Sequence, residues 1–180
     1  MLGLLVLIVG VFLITSSYVK APQPIQVGLL SGDLLNFLSN TKIKDLNNPY
    51  AGIGGELQTR GYITEIDNSL LQQIGEFYEK DKIESPLPSM PPPPQTEPYL
   101  DVAEKFVQNV LGGAVPLQYR YEVWINGALL YPKTLTLEHT KSKDNTKLLL
   151  TSKKIIFGII DKKTGDIWGP YTAEVFVWES

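Results

Sequence analysis

The feature that most constrains this chain is its first nineteen residues, Met1 to Val19, which carry no charged side chain; the first charge is Lys20. A helix rises about 1.5 Å per residue, so a helical run of this length would span roughly 28 Å, close to the apolar thickness of a bilayer. We therefore expect residues 1–20 to form a hydrophobic N-terminal helix that either crosses a membrane or packs inside an assembly.

A proline pair separates this run from the rest of the chain. Pro22 and Pro24 each remove a backbone donor and disfavour helix in the preceding residue. We expect residues 21–27 to form a hinge. The remaining residues, 28–180, have the mixed composition of one globular head, and their number allows a real hydrophobic core.

Three interpretations of the apolar run are open. A secretory signal peptide usually has a basic region followed by roughly 7–15 apolar residues. The run Met1–Val19 has no basic region before it and is longer than such an apolar region. A plain membrane anchor fits the length. The third interpretation is a helix that lies in the membrane before assembly and packs against copies of itself in a filament afterwards.

Small residues within the run favour helix packing. Gly3, Gly10 and Ser17 are spaced by seven and so lie near one face of the expected helix. Small side chains let helix backbones approach closely in a membrane, although they are frequent in any membrane helix. We assign these three residues to helix–helix contacts.

Composition excludes several classes of function. The net charge of −3 argues against nucleic-acid binding, which needs a clustered basic surface. The absence of cysteine excludes disulfides, thiolate nucleophiles and zinc sites with cysteine ligands. We expect neither a metal nor another cofactor.

Helical spacing indicates three helices in the first part of the head. In the first, leucines repeat over residues 31–39. In the second, residues 69–80, the spacing of Ser69 and Gln72 is that of a capping box and an apolar stripe follows it. The third begins at Pro98, contains two apolar rows and ends at Gly112-Gly113. The charged residues of the second helix are interpreted as a solvated face, and the glycine-rich segment 52–55 as a turn-rich loop.

A proline-rich segment, residues 86–98, separates the second and third helices. Its seven prolines favour an extended polyproline II path, which could be a domain linker, a ligand for a peptide-binding domain or a stiff surface loop. We expect a surface loop within one head, because neither flanking half has enough regular structure to fold alone.

From residue 118 the apolar period changes from 3.6 to 2, which predicts an antiparallel sheet over residues 118–180. Asn126-Gly127 is a strong hairpin signal between two alternating runs. Residues 134–140 alternate again, Lys141–Asn145 suggests a turn, and residues 148–160 are apolar enough for a buried strand. The predicted fold class is α+β, with short helices packed on a C-terminal antiparallel sheet.

Candidate catalytic residues are few, and we expect no enzymatic activity. His139 is the single histidine, and its place at the end of the predicted 134–140 strand favours an exposed structural role. Asp161 and Asp166 flank a turn, where aspartate commonly bonds its own backbone. Glu122 and Glu174 lie on strands that could be neighbours, as paired carboxylates of a glycosidase would, but such glutamates are common without chemistry.

Large aromatic residues lie on both faces of the predicted sheet. Trp124 falls opposite Tyr121, and Phe176 and Trp178 share a face. Either helices cover one face and a partner subunit the other, or both faces are covered within the head. Trp124, Phe176 and Trp178 are therefore candidate interface residues.

The order of these features resembles the type IV pilin superfamily, and archaeal pilin-like subunits in particular. The segments TKIKDLNNPYAGIGGE and LLQQIGEFYE are similar to those of archaeal membrane-anchored proteins of that kind. The start differs from the bacterial pattern, since position five is Leu5 rather than glutamate. The resemblance implies a structural subunit of an extracellular filament at the cell surface, held in the membrane before assembly and binding copies of itself through residues 1–19. The alternative is a membrane-anchored binding or accessory module of the cell envelope that does not polymerise.

Overall fold

The computed structural model describes residues 24–46, 51–84, 97–146, 149–161 and 165–179. Within these ranges the chain forms five α-helices and four strands, together with a 3-10 turn at Ile43–Asp45. The helices are α1 (Pro24–Asn40), α2 (Ala51–Thr59), α3 (Leu70–Glu84), α4 (Tyr99–Leu111) and α5 (Leu137–Asn145), and the strands are β1 (Tyr119–Ile125), β2 (Ala128–Tyr131), β3 (Leu149–Asp161) and β4 (Asp166–Glu179). The α+β class is confirmed.

Several expectations lie outside the described residues. These are the hydrophobic helix of residues 1–20 with Gly3, Gly10 and Ser17, and the proline-rich segment up to residue 96. Among the described helices, none combines the length and the apolar character needed to span a bilayer.

The four strands form one antiparallel sheet in the order β2-β1-β4-β3. The hairpin at Asn126-Gly127 is confirmed, and both residues have positive φ, 51° and 80°. This is the left-handed pair that a two-residue type I′ turn requires, which glycine and asparagine tolerate best. The turn sets the register of β1 with β2, in which Ile125 lies opposite Ala128. In the centre of the sheet, Val123 of β1 lies opposite Val175 of β4.

One face of the sheet carries the hydrophobic core, and we call it the core face. Alternate residues of β1 and β4 point into it, and α1, α3 and α4 pack over it. The six apolar residues of the two predicted rows in α4 are all buried, which confirms that helix. At about 25 cal/mol per Å² of apolar surface, this layer supplies most of the burial that stabilises the head.

Helix α3 begins at the predicted capping box. Ser69 N donates to Gln72 Oε1 at 3.0 Å, and Gln72 N donates to Ser69 Oγ at 3.2 Å. Two of the unpaired donors at the helix start are thus satisfied reciprocally. The predicted end at Lys80 is four residues short, since the helix continues to Glu84.

Trp168 fills the narrowest part of the core, between α3 and β3. A Cβ added to Gly75 would lie 2.3 Å from the Trp168 ring, and one added to Gly158 would lie 2.7 Å from it. Only glycine leaves room for an indole at these two positions, so the two glycines set the distance between helix and sheet.

Five local expectations are wrong. Residues 52–55 belong to helix α2, where the buried Gly54 approaches Ile43 and Leu46 and packing outweighs glycine's low propensity. Residues 24–27 of the expected hinge are already helical, since proline suits a first helical turn. Residues 134–140 are no strand, and the turn expected at residues 141–145 is the second half of α5.

The fifth concerns β3, which was expected to be buried. Its residues Ile155, Phe157 and Ile159 are exposed by 67%, 67% and 48%. The helices pack over only one face of this strand, so only the residues on that face, such as Ile156, are covered.

Candidate functional site

The face of the sheet opposite the core, which we call the outer face, carries a buried carboxylate. Glu122 on β1 is 1% exposed. Its Oε1 lies 3.2 Å from His139 Nε2, and its Oε2 lies 2.5 Å from Lys143 Nζ and accepts from Trp124 Nε1 at 2.8 Å. A buried carboxylate is costly unless it is paired and hydrogen-bonded, and these partners occupy both oxygens.

Two of these partners come from helix α5, which has no buried residue of its own. The side chain of Thr136 accepts from His139 N at 3.1 Å and caps the helix. His139 and Lys143 are four apart and so lie on one helix face, above Glu122. Because α5 lacks an apolar stripe, the polar contacts of that face hold it to the sheet.

The three aromatic residues expected at an interface lie beneath this helix. Trp178 is fully buried, its Nε1 donates to Ser142 Oγ at 3.2 Å, and its ring meets the His139 ring edge to face at 4.8 Å. Lys143 Nζ lies 4.8 Å above the Phe176 ring and 5.7 Å above that of Trp124. At this end the outer face is covered within the head, so Trp178 is not an exposed interface residue; Trp124 and Phe176 are partly exposed.

The expected exposed histidine is also corrected by this arrangement. The His139 side chain is 13% exposed and its Nε2 faces Glu122. The nearby hydroxyl of Ser142 already accepts from Trp178. A carboxylate, an imidazole and a hydroxyl thus lie close together, but each takes part in fixing α5 to the sheet.

The other candidate carboxylates do not form a catalytic pair. Glu122 and Glu174 lie on neighbouring strands, as expected, but Glu174 pairs with Lys153 at 3.1 Å. Asp161 and Asp166 are register partners at the end of the β3–β4 hairpin. Within the described residues there is no group of three or more His, Asp or Glu side chains arranged to hold a metal ion.

A second buried carboxylate lies on α3. Glu76 is 1% exposed, accepts from Asn68 Nδ2 at 3.0 Å and pairs with Lys80 at 2.6 Å. The interpretation of these charges as a solvated face is therefore wrong for Glu76. Near the same helix, burial and a hydrogen bond to Glu79 raise the pKa of Tyr171.

Two concave regions border the sheet. A cavity of about 280 Å³ lies at the α5 end, and a groove of about 220 Å³ runs beside β3. The cavity is lined by Tyr119, Arg120, Tyr121, Tyr131, Pro132, Thr134, Thr136 and His139. The groove is lined by the ends of α1 and α3 on one side and by β3 on the other.

The part of the outer face beyond α5 is apolar and exposed. Ile155, Phe157 and Ile159 alternate along β3, and Ile167 lies opposite Ile159 on β4 and is 74% exposed. We call these four residues the apolar strip. A contiguous group of large exposed apolar side chains is the kind of surface that marks an interaction site.

Sequence reasoning missed both the buried carboxylate and the strip. The spacing of His139 and Lys143 was the available signal, because i,i+4 residues share a helix face, but it required α5 to be recognised as a helix. The strip could not be distinguished from a buried strand, since an apolar run gives no information about which face of a sheet other elements cover.

Comparison of the chain with protein-family models, with curated proteins and with solved structures finds no match. The functional argument therefore rests on the residues of this chain.

Proposed function

We propose that this protein is a structural subunit of an extracellular filament, and that it polymerises through the apolar segment Met1–Val19 after residing in a membrane. The observation that carries the proposal is the length and lack of charge of that segment together with its short connection to the head. Only four residues separate Val19 from Pro24, where α1 begins.

The connection matters because α1 is part of the head. Leu34, Leu35 and Leu38 of α1 are buried against the core, and Ser31 Oγ lies 3.0 Å from Ser152 Oγ on β3. A head attached so closely stays near the segment that carries it. Association of the segments would then bring heads side by side and form an outer layer around an apolar centre.

The proposal assigns the head a packing role and no enzymatic one. Glu122, His139 and Lys143 are used to attach α5, which accounts for them without a reaction. We expect His139→Ala and Asp161→Asn to leave filament yield unchanged in preparations in which the head is folded. A hydrolytic activity that either substitution abolished, with folding intact, would overturn this assignment.

A membrane-anchored binding module that does not polymerise is the second candidate. The cavity of about 280 Å³ favours it, because tyrosine rings and Arg120 could contact a ligand there. The two candidates differ in whether the protein assembles at all.

Electron microscopy of the full chain after detergent removal tests the proposal. Wild-type protein is expected to form filaments. Gly10→Leu is expected to abolish or strongly reduce them, because a large side chain on the Gly3–Gly10–Ser17 face holds neighbouring helices apart. The matched control is Thr15→Leu, which adds bulk on another side of the expected helix and is expected to assemble.

Wild-type protein that stays as separate, folded, detergent-bound particles would contradict polymerisation and favour the anchored module. Equal filament yield from Gly10→Leu and Thr15→Leu would show that the small-residue face does not form the helix contact.

A further inference from the structure

Strand β3 is an unusually long edge. It runs for 13 residues, whereas strands in globular proteins average about 5–6. Among the described residues it pairs only with β4, so its other side presents backbone donors and acceptors. Natural proteins shorten, charge or cover such edges, because an open edge readily pairs with another strand.

The central part of this edge is not protected by charge. Lys153 and Lys154 precede it, but the five residues from Ile155 to Ile159 are uncharged. Between Ile156 and Gly158 the pairing partner shifts from Tyr171 to Trp168, so the extra residue lies on β4 and β3 is regular there. The apolar strip and a regular open edge thus coincide.

The sequence of this edge is self-complementary about Phe157. If two copies of β3 run antiparallel with Phe157 opposite Phe157, then Ile155 of each copy lies opposite Ile159 of the other. The contact between the two copies is then a ladder of large apolar side chains, which favours cross-strand pairing.

We propose that two copies of this chain associate through β3, antiparallel about a twofold axis at Phe157, to give a continuous eight-stranded sheet. The contact is isologous, since the same patch is used by both copies. It is separate from the filament proposal, because the apolar segment Met1–Val19 has no part in it.

The backbone at Phe157 is oriented for this contact. Gln72 Nε2 lies 3.5 Å from Phe157 O, at the long end of hydrogen-bond distances, so this carbonyl points away from β4 and is weakly satisfied. In the proposed pair, Phe157 of each copy would exchange backbone hydrogen bonds with the other, and Gln72 would give up its contact. Two residues that exchange backbone hydrogen bonds across an antiparallel pair of strands have Cα atoms about 5.5 Å apart.

A second copy fits this edge better than an unrelated extended peptide. The register centred on Phe157 places the uncharged residues 155–159 of one copy against the same residues of the other, so that no charged side chain falls within the ladder. Along the strands, Lys153 of one copy would lie about 26 Å from Lys153 of the other. An unrelated peptide would have to supply a matching apolar segment, whereas a second copy already carries one.

Single cysteines test this register directly, because the sequence contains no cysteine. In the full chain in detergent, Phe157→Cys places two thiols within the Cα separation of about 4.4–6.8 Å that a disulfide requires. The matched controls are Ile155→Cys and Ile159→Cys, which lie on the same face. Each would be about 14 Å from its own counterpart along the paired strands.

Under mild oxidation, Phe157→Cys is expected to form a disulfide dimer at least about tenfold faster than either control, because association gives the thiols a high effective concentration. A mixture of Ile155→Cys and Ile159→Cys protein is expected to give the mixed dimer. Equal rates for all three variants, or no dimer from Phe157→Cys, would overturn the proposal.

A second measurement does not depend on oxidation. Phe157→Lys is expected to shift the wild-type particle from dimer to monomer in sedimentation, while Ile83→Lys, at an exposed site away from β3, is not. Equal effects of the two substitutions, or no effect of Phe157→Lys, would contradict the β3 contact. Failure of the filament proposal has a different readout: disulfide dimers would form although no filaments appear by microscopy.

Discussion

The two faces of the sheet are covered by different physical means. On the core face, helices α1, α3 and α4 bury a continuous set of aliphatic and aromatic side chains. On the outer face, α5 buries nothing of its own and is attached through the charged group Glu122. Beyond α5 the outer face is left uncovered at the apolar strip. The comparison shows that apolar residues alone do not tell which surface of a sheet becomes interior.

The difference has a consequence for stability. Apolar burial is non-directional and accumulates with area, so the core face tolerates small changes in geometry. A buried ion pair depends on all its partners being in place, since removal of one leaves the others desolvated. We therefore expect α5 to be the part of the head that separates first, whereas the core layer should open only with global unfolding.

The largest expected effect contrasts two aromatic residues near the end of the β3–β4 hairpin. Trp168 is 2% exposed on the core face and Phe157 is 67% exposed on the outer face. Trp168→Ala is expected to lower the free energy of unfolding by about 3–5 kcal/mol through the cavity it leaves. Phe157→Ala should change it by less than about 0.5 kcal/mol in monomeric protein. Denaturant unfolding of both variants, below the concentration of association, checks the contrast; a large loss from Phe157→Ala would show that the outer face is covered.

The next effect concerns the attachment of α5. Glu122→Ala leaves His139 and Lys143 without their carboxylate and is expected to lower the free energy of unfolding by about 2–3 kcal/mol, because both side chains can partly regain water. Hydrogen exchange should rise first in α5. The matched control is Glu174→Ala on the same face, whose exposed pair with Lys153 contributes at most about 1 kcal/mol. Unchanged exchange in α5 would mean that other contacts hold the helix.

The sequence predicted those elements whose local and tertiary preferences agree. The two apolar rows of α4 and the Asn126-Gly127 hairpin were correct because periodicity and turn chemistry indicate the same structure that packing requires. The capping box of Ser69 and Gln72 is confirmed for the same reason.

The failures occur where tertiary contacts override the local pattern. Leu135 and Leu137 gave residues 134–140 the alternation of a strand, yet they are 44% and 71% exposed, while Thr136 caps a helix. Helix α2 was missed because its glycines count as breakers, although Gly54 is buried in the helix beside Ile43 and Leu46. Burial of Glu122 could not be predicted either, because it depends on two partners, His139 and Lys143, that lie 17 and 21 residues away in sequence.

A pair of glycines distinguishes close packing from simple helix propensity. Gly75→Ala is expected to cost about 1–3 kcal/mol, because the new methyl group would overlap the Trp168 ring on the core face. Gly55→Ala, in α2 with open space around it, is expected to gain about 0.5–1 kcal/mol from helix propensity. Thermal unfolding of the two variants should therefore shift in opposite directions, and a stabilising Gly75→Ala would contradict the close contact of α3 with Trp168.

The smallest effect is a pH dependence at Tyr121, at the edge of the core face. Its side chain is 8% exposed, its ring stacks on that of Tyr131 at 4.8 Å, and its hydroxyl has no hydrogen-bond partner in the described part of the chain. Burial, and to a smaller extent the neighbouring Tyr131 side chain, raise the pKa of this hydroxyl well above its ordinary value. The unfolded chain therefore releases this proton first as pH rises, so the contribution to stability is complete below about pH 10 and is lost above it, by about 1.4 kcal/mol per pH unit.

Tyr121→Phe removes the titration, and at neutral pH it should be neutral or stabilising by up to about 1 kcal/mol, since no hydrogen bond is lost. Denaturant unfolding at pH 8 and pH 11 should show the advantage of the variant growing by about 1.4 kcal/mol between the two. A variant that is less stable at pH 8 would indicate a partner for the hydroxyl, and an advantage that does not grow with pH would mean that the hydroxyl reaches water in the folded head.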